Sequence, residues 1–276
     1  MHVTVGGWKL LCNICGSETK EFDHCQIIGK NEITYYRCSH CGYICTEKPY
    51  WLKEAYSDAI ADSDIGLLAR NYRFQQTVPL IIHLVLSSKE NNSFLDYGAG
   101  YGVFVRLMRD RGYDFEWYDK YCDNIFAKGH EKTKDHYTVI TGFELAEHLA
   151  DPINELGPIL RMCDHFIFST SAVSFTKPPK VNDWWYYAVD SGQHVSFYTK
   201  RSFQILAEKF GMHYYHFVGS MHLISKKKIS TVKFWTTKVN YFRKLALIMI
   251  KERCLLSRRK SLQPDDYLKI TGKMVH

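Results

Sequence analysis

Between Phe94 and Val105 the chain reads Phe-Leu-Asp-Tyr-Gly-Ala-Gly-Tyr-Gly-Val-Phe-Val, and no other stretch narrows the choice of fold as much. A short apolar run ends in Asp96. Glycines at 98, 100 and 102 follow, and the apolar spacing then becomes helical. An apolar strand that breaks into a glycine-rich turn and re-enters a helix is how open α/β sheets let a nucleotide approach the main chain.

The sequence on either side keeps that rhythm. Residues 94–97 read as a buried strand. Residues 103–111 read as a helix with Val103, Phe104, Leu107 and Met108 on one side, and 115–118 as a second strand closed by Asp119. An acid ending the second strand, about 20 residues past the glycines, is placed to accept hydrogen bonds from ribose hydroxyls. This pairing fits a nicotinamide dinucleotide as well as other adenosine cofactors. Further strands are expected at 137–141, 166–170, 212–218 and 223–225, with an amphipathic helix at 200–210 stopped by Gly211.

Nearer the N-terminus, Cys12-Asn-Ile-Cys15-Gly16 and Cys38-Ser-His-Cys41-Gly42 repeat one knuckle. Each turn aims two thiolates at one point while the glycine permits the backbone twist behind them. Two such turns complete a four-thiolate zinc shell with no open position, which is a structural site. Cys25, Cys45 and His40 are additional ligand candidates of lower rank. Residues 49–92 read as helices leading to the sheet, and Arg70, Asn71, Tyr72 and Arg73 sit on what is expected to be a solvated helix face.

Charge is unevenly spread. Residues 226–260 hold twelve Lys or Arg against the single acid Glu252, a net +11; the whole chain is +7, leaving −4 for the rest. The overall basicity therefore gives no support to nucleic-acid binding by the body of the protein. The basic tail, expected to be helical over 232–254, suits either packing on the body or contact with an anionic membrane face or a phosphate-bearing substrate. No apolar run reaches the ~18–20 residues of a membrane span, and the start lacks a signal-peptide pattern, so a cytoplasmic location is expected.

Gly142-Phe-Glu-Leu-Ala-Glu-His-Leu-Ala-Asp-Pro152 makes the pattern specific. The arrangement resembles the class I S-adenosylmethionine-dependent methyltransferases, whose glycine turn is Asp-x-Gly-x-Gly-x-Gly, here Asp96, Gly98, Gly100 and Gly102. The family's Glu-x-x-Glu-His-x-x-Asp-Pro stands as Glu144, Glu147, His148, Asp151 and Pro152. The likeness covers roughly residues 90–225. It implies a Rossmann-like seven-stranded α/β methyltransferase sheet, here with an N-terminal zinc ribbon and a C-terminal helical tail. Asp96 and the Gly98 to Gly100 backbone would hold the methionine part of S-adenosylmethionine and Asp119 the ribose. Tyr97, Ala99, Lys120, Phe143 and Glu144 would line the same site. The stretch from 120 to 136 is compressed relative to the family. If helical, Glu144, Glu147 and His148 share one face. Related quinone O-methyltransferases use such a cluster for a divalent cation; the alternative is that Glu147 and His148 cap and orient the site.

A second resemblance concerns the acceptor. Gly192-Gln-His-Val-Ser-Phe-Tyr-Thr199 is similar to the Gly-Glu-His-x-x-Phe-Phe-Thr stretch of zinc-bearing methyltransferases that modify nucleotide-linked sugars. Gln193 cannot take a proton, which leaves His194 as the candidate base. Trp184, Trp185, Tyr186 and Tyr187 are candidates for stacking on sugar faces. The expected organisation is a zinc ribbon at 1–48, a helical lead-in at 49–92, the methyltransferase domain at 93–225 and the basic tail at 226–276. The expected activity is methyl transfer to an oxygen of a saccharide or nucleotide sugar. An RNA methyltransferase and a non-catalytic binding protein of the same fold are the alternatives.

Overall fold

The computed structural model describes residues 10–56, 66–85 and 92–238, together with positions 262, 265 and 269. Three strands come first, β1 (Thr19–Ile27), β2 (Asn31–Cys38) and β3 (Ile44–Thr46), followed by the short helix α1 (Leu52–Ala55) and the longer α2 (Leu67–Val85). The glycine turn lies between β4 (Phe94–Tyr97) and α3 (Val103–Asp110). Next come β5 (Phe115–Tyr118), β6 (Tyr137–Phe143), α4 (Pro152–Arg161) and β7 (Cys163–Ser169). The chain continues through β8 (Ser196–Phe197), α5 (Lys200–Lys209), β9 (His213–His216), β10 (Met221–Ser225) and α6 (Thr231–Lys238). The predicted strands and helices of the core are all present, with ends shifted by a few residues. α6 covers the start of the helix expected at 232–254, and the remainder of that expectation lies outside the described residues.

Six strands hydrogen-bond in the order β5-β4-β6-β7-β10-β9. β4 runs parallel to both β5 and β6, and β9 and β10 form an antiparallel hairpin. Among the described residues this sheet has six strands where the resemblance implies seven. At the outer edge of β5 the place of a further strand is taken by a single parallel bridge, Trp117 to Glu131. The physical cause is composition: residues 119–136 hold eight charged side chains and Gly129, and they offer no apolar run long enough to add a strand.

The contacts cluster into two units. One comprises residues 1–61, 143–161 and 168–226. Within it β1, β2, β3 and β8 form an antiparallel sheet in that order, with Ile44 opposite Phe197 and Cys45 opposite Ser196. Its core gathers Ile33, Tyr35, Ile44, Trp51, Tyr186, Tyr187 and Phe197, so the aromatic segment after β7 packs against the cysteine-bearing sheet. α5 opens with a capping box, in which Thr199 Oγ1 accepts from Ser202 N–H and Ser202 Oγ accepts from Thr199 N–H. The second unit comprises residues 62–142, 162–167 and 227–276. There Phe94 stacks on Phe115 at 5.0 Å and Phe104 meets Phe115 edge-on at 5.5 Å, fixing α3 on its sheet beneath the glycine turn. Among the described residues no helix is long and apolar enough to cross a membrane.

Candidate functional site

In the second unit Gly98, Gly100 and Gly102 all take left-handed φ, at 73°, 52° and 86°. Only glycine adopts three such angles in five residues without strain, and at Gly102 a Cβ would lie 3.1 Å from Ala127 Cβ and Asn124 Oδ1. The turn is fastened to the end of β5. Gly98 and Ala99 N–H donate to Tyr118 O, Gly100 N–H donates to Asp119 Oδ2 at 2.9 Å, and Trp117 Nε1–H donates to Gly100 O at 2.8 Å. Asp119 Oδ1 accepts the N–H groups of Tyr121 and Cys122 at 2.7 and 2.9 Å. The carboxylate is thus aimed by main-chain donors at the carboxyl end of a parallel strand, where a ribose is bound in such sheets.

Asp96 is 3% exposed and faces Thr141 across the β4–β6 pair, whose Oγ1 donates to Asp96 Oδ1 at 2.5 Å. Burial raises its pKa to about 7, with the nearby Asp119 adding to the rise and the Thr141 bond opposing it. The hydroxyl at 141, half of this pair, has no motif to announce it in the sequence. Tyr97 is half-buried with its ring 4.8 Å from that of Tyr118, and Lys120 is exposed with its ammonium over the Tyr121 ring. The left-handed glycines and the aimed carboxylate fit the adenosine and amino-acid parts of S-adenosylmethionine.

The first unit holds the remaining predicted site residues. Glu144 does not share a helix face with Glu147 and His148, as their spacing would suggest. It stands before a 3-10 turn, Ala146–His148, with a left-handed φ of 48°. Its N–H donates to Ser169 Oγ at 3.0 Å, and Ser169 Oγ–H donates to its carboxylate. The short hydroxyl of Ser169 draws both ends of Glu144 towards β7, and this overrides the helical periodicity.

Glu147 and His148 instead meet His194. A carboxylate oxygen and a ring nitrogen from each histidine lie within 4.8 Å of one another, and the two imidazoles make an edge-on contact at 4.8 Å. Glu147 has no exposed surface, and Tyr186 OH donates to its Oε1 at 2.6 Å. His148 Nδ1 is 2.8 Å from Tyr56 OH. Its surroundings push the imidazole pKa down to about 3, chiefly by burial and secondarily through His194, so the ring is neutral at pH 7. His194 Nδ1 lies 2.6 Å from the main-chain carbonyl of Tyr186. Trp51 Nε1–H donates to Gly192 O, Gln193 Nε2–H to Ala55 O, and Val195 N–H to Glu147 O. Trp51, Ala55 and Tyr56 thus brace this cluster, although the sequence marks them only as part of a helical lead-in.

Of the four aromatics that are candidates for stacking on sugars, Tyr186 and Tyr187 are each only 1% exposed and Trp184 is half-buried; Trp185 is 80% exposed. Two of the four belong to the core because they close over the β-sheet bearing Tyr35 and Phe197.

The cysteine pairs converge as their spacing requires. Cys12 Sγ lies 3.5 Å from Cys41 Sγ and Cys15 Sγ 3.4 Å from Cys38 Sγ, with all four within 4.8 Å. A tetrahedral zinc–thiolate cage with bonds of about 2.3 Å has edges of about 3.8 Å, so the set fits that ion. Gly16 and Gly42 take the left-handed φ the knuckles need, 77° and 74°. The hydrogen bond from Cys41 draws the Cys12 thiol pKa down to about 5, while burial pushes that of Cys45 up to about 12. Cys25, Cys45 and His40 are not in the cluster. The cage is tied to the His194 loop, since Thr199 Oγ1–H donates to Cys41 O and Tyr43 OH meets Ser196 Oγ at 2.5 Å.

A family model described as a methyltransferase domain matches residues 69–216, more than half of the chain. No curated protein matches. Among solved structures the chain is similar to mitomycin 7-O-methyltransferase MmcR, at 11% identity and a TM-score of 0.41, over 63% of this chain and 59% of that one. It is similar to an O-methyltransferase family 2 protein from Planctomyces limnophilus solved with apigenin, at 12% identity and 0.45, over 64% and 65%. For the plantazolicin methyltransferase BpumL solved with SAH the values are 16% and 0.41, over 71% and 84%. The chain thus spans less than two thirds of the length of the first two. The family-model match, which spans the glycine turn, Asp119 and the strands around them, shows that the chain belongs to the methyltransferase domain family.

Proposed function

We propose that the protein transfers a methyl group from S-adenosylmethionine to an oxygen of a sugar-like acceptor, a saccharide or nucleotide sugar. The observation that carries this reading is the cluster of His194, His148, Glu147 and Tyr186: an imidazole held by a hydrogen bond at Nδ1 can take a hydroxyl proton at Nε2 when the ring is neutral. The cofactor, when bound, supplies an electrophilic methyl on a sulfonium, so the protein has only to align the acceptor and manage one proton. Asp96, Asp119 and the Gly98 to Gly100 main chain hold the cofactor. His194 takes the hydroxyl proton as the acceptor oxygen bonds to the methyl carbon. Glu147 and His148, gathered with it in one cluster, orient that imidazole. Trp185 offers an exposed indole face to a sugar ring. Cys12, Cys15, Cys38 and Cys41 hold a structural zinc ion that keeps β3, and through it β8, in place beside His194.

The experiment is transfer of labelled methyl from S-adenosylmethionine to panels of nucleotide sugars, oligosaccharides and RNA, with binding of S-adenosylhomocysteine followed by calorimetry. Label is expected in a sugar acceptor. Asp119→Ala is expected to weaken S-adenosylhomocysteine at least tenfold. His194→Ala is expected to lower turnover by about 10²–10⁴ with cofactor affinity kept. Label in RNA alone, or a fully active His194→Ala, refutes the reading.

A further inference from the structure

Tyr186 is one of the four candidates for stacking on a sugar, and its ring is buried in the core of its unit. What it does there follows from counting its hydrogen bonds. A phenol has one proton to give and two lone pairs to receive with. Tyr186 gives its proton to Glu147 Oε1 at 2.6 Å and receives from Ser171 N–H at 3.0 Å and from Thr170 Oγ1–H at 3.0 Å. All three places are filled, by Glu147 on one side and the adjacent Thr170 and Ser171 on the other, so the ring cannot shift without breaking several bonds.

The main chain of the same residue meets His194. A carbonyl oxygen only accepts, so the 2.6 Å contact between Tyr186 O and His194 Nδ1 puts a proton on Nδ1, and in the neutral ring the lone pair then lies on Nε2. The rings also touch edge-on at 4.7 Å. The chain turns back sharply to make this contact. Ala188 takes a left-handed φ of 47°, unusual for a residue with a Cβ, and its carbonyl accepts the N–H groups of Ser191 and Gly192.

We propose that Tyr186 is the positioning residue for His194: its phenol, locked to Glu147, Thr170 and Ser171, holds its own carbonyl where it fixes the imidazole as the Nδ1–H tautomer. This rests on the reading of His194 as the base. Glu147, whose Oε1 accepts the phenol proton, then acts through Tyr186 as well as through its own neighbours in the cluster.

Nitrogen-15 NMR of the full chain labelled at histidine reads the tautomer directly. In the wild-type protein near neutral pH, His194 is expected to show a protonated Nδ1 and a basic Nε2. Tyr186→Phe is expected to lower kcat about 10- to 100-fold, to move KM and S-adenosylhomocysteine affinity less than about threefold, and to mix the two tautomers. Glu147→Gln keeps an acceptor oxygen for the phenol and is expected to retain the wild-type tautomer. A wild-type spectrum with the proton on Nε2 overturns the proposal, and this measurement stands even if Tyr186→Phe does not fold. Wild-type turnover in Tyr186→Phe beside an inactive His194→Ala removes this inference alone. A fully active His194→Ala removes the base reading and this inference with it.

Discussion

Around Gly98 to Gly102 every hydrogen bond that holds the turn joins residues no more than 25 apart in the chain, from Gly102 N–H to Ala99 O up to Phe126 N–H to Tyr101 O. The His194 loop is held by bonds that reach much further. Tyr186 to Glu147 spans 39 residues, Tyr56 to His148 spans 92, Gln193 to Ala55 spans 138 and Trp51 to Gly192 spans 141. The first arrangement depends on dihedral angles that three glycines make accessible in place. The second depends on a whole unit being folded, because each partner comes from a different stretch of chain. One site is therefore expected to survive local damage elsewhere, and the other to fail with its scaffold.

The largest expected effect tests that dependence on the scaffold. Structural zinc contributes on the order of 10 kcal/mol to the folding of small cysteine modules. Cys38→Ser, or a strong chelator on the wild-type protein, is expected to abolish bound zinc, to lower the melting temperature by more than about 10 °C and to remove methyl transfer. The reason is geometric. Cys45 and Ile44 on β3 pair with Ser196 and Phe197 on β8, two residues beyond His194. Metal analysis, a thermal melt and the transfer assay together decide it. Full transfer by a zinc-free Cys38→Ser would show that the loop does not depend on the cysteine module.

The same contrast explains what could be read from the residues alone. Asp96, the three glycines and Asp119 form a pattern because the backbone there demands glycine and a carboxylate at fixed spacings. The four cysteines form one because a tetrahedral ion demands paired thiols. Thr141, Trp51 and Tyr56 carry no such signature. Each matters through a partner set by tertiary packing, and Thr, Trp and Tyr occur everywhere. The Glu144 to His148 spacing misled for a related reason: i, i+3, i+4 identifies a common face only in a helix, and Ser169, 25 residues away, holds Glu144 out of one. The missing seventh strand was foreshadowed by the charged, strandless stretch after Asp119, yet the single bridge at Trp117 depends on backbone geometry that composition does not encode.

A mid-sized effect concerns Asp96 and sharpens the account of the glycine turn. Its carboxyl pKa is raised from 3.8 to about 7 in the folded protein, mainly by burial. Between those values the folded chain binds a proton that the unfolded chain has released. Stability from this group is therefore present below about pH 4, falls as pH rises towards 7, and stays low above it. Asp96→Asn retains an oxygen for Thr141 and cannot ionise. The ligand-free variant is expected to be more stable than wild type at pH 8, by up to a few kcal/mol, and equal to it near pH 4. S-adenosylhomocysteine affinity at pH 8 is expected to drop at least tenfold, because in the proposed cofactor site the charge that destabilises the ligand-free protein would pair with the cofactor's ammonium group. Denaturant melts at the two pH values and calorimetry separate these effects. An Asn variant that is less stable at pH 8 would mean that Asp96 holds the turn together and is not strained by its burial.

The smallest effect lies at the surface of the unit that carries His194. Trp185 is 80% exposed although its neighbours Tyr186 and Tyr187 are buried, and it touches Tyr186 edge-on at 5.5 Å. Removing an exposed indole leaves no cavity, so Trp185→Ala is expected to change stability by less than about 0.5 kcal/mol. If its free face stacks on the acceptor, the lost contact is worth about 1 kcal/mol, which appears as a roughly fivefold rise in acceptor KM with kcat and S-adenosylhomocysteine affinity unchanged. Trp185→Phe retains a smaller aromatic face and is expected to fall between the two. Steady-state kinetics on the acceptor found in the transfer screen make the measurement. An unchanged KM in Trp185→Ala would confine acceptor recognition to the buried cluster; a fall in kcat at constant KM would instead mean that the indole holds Tyr186, and through its carbonyl His194, in register.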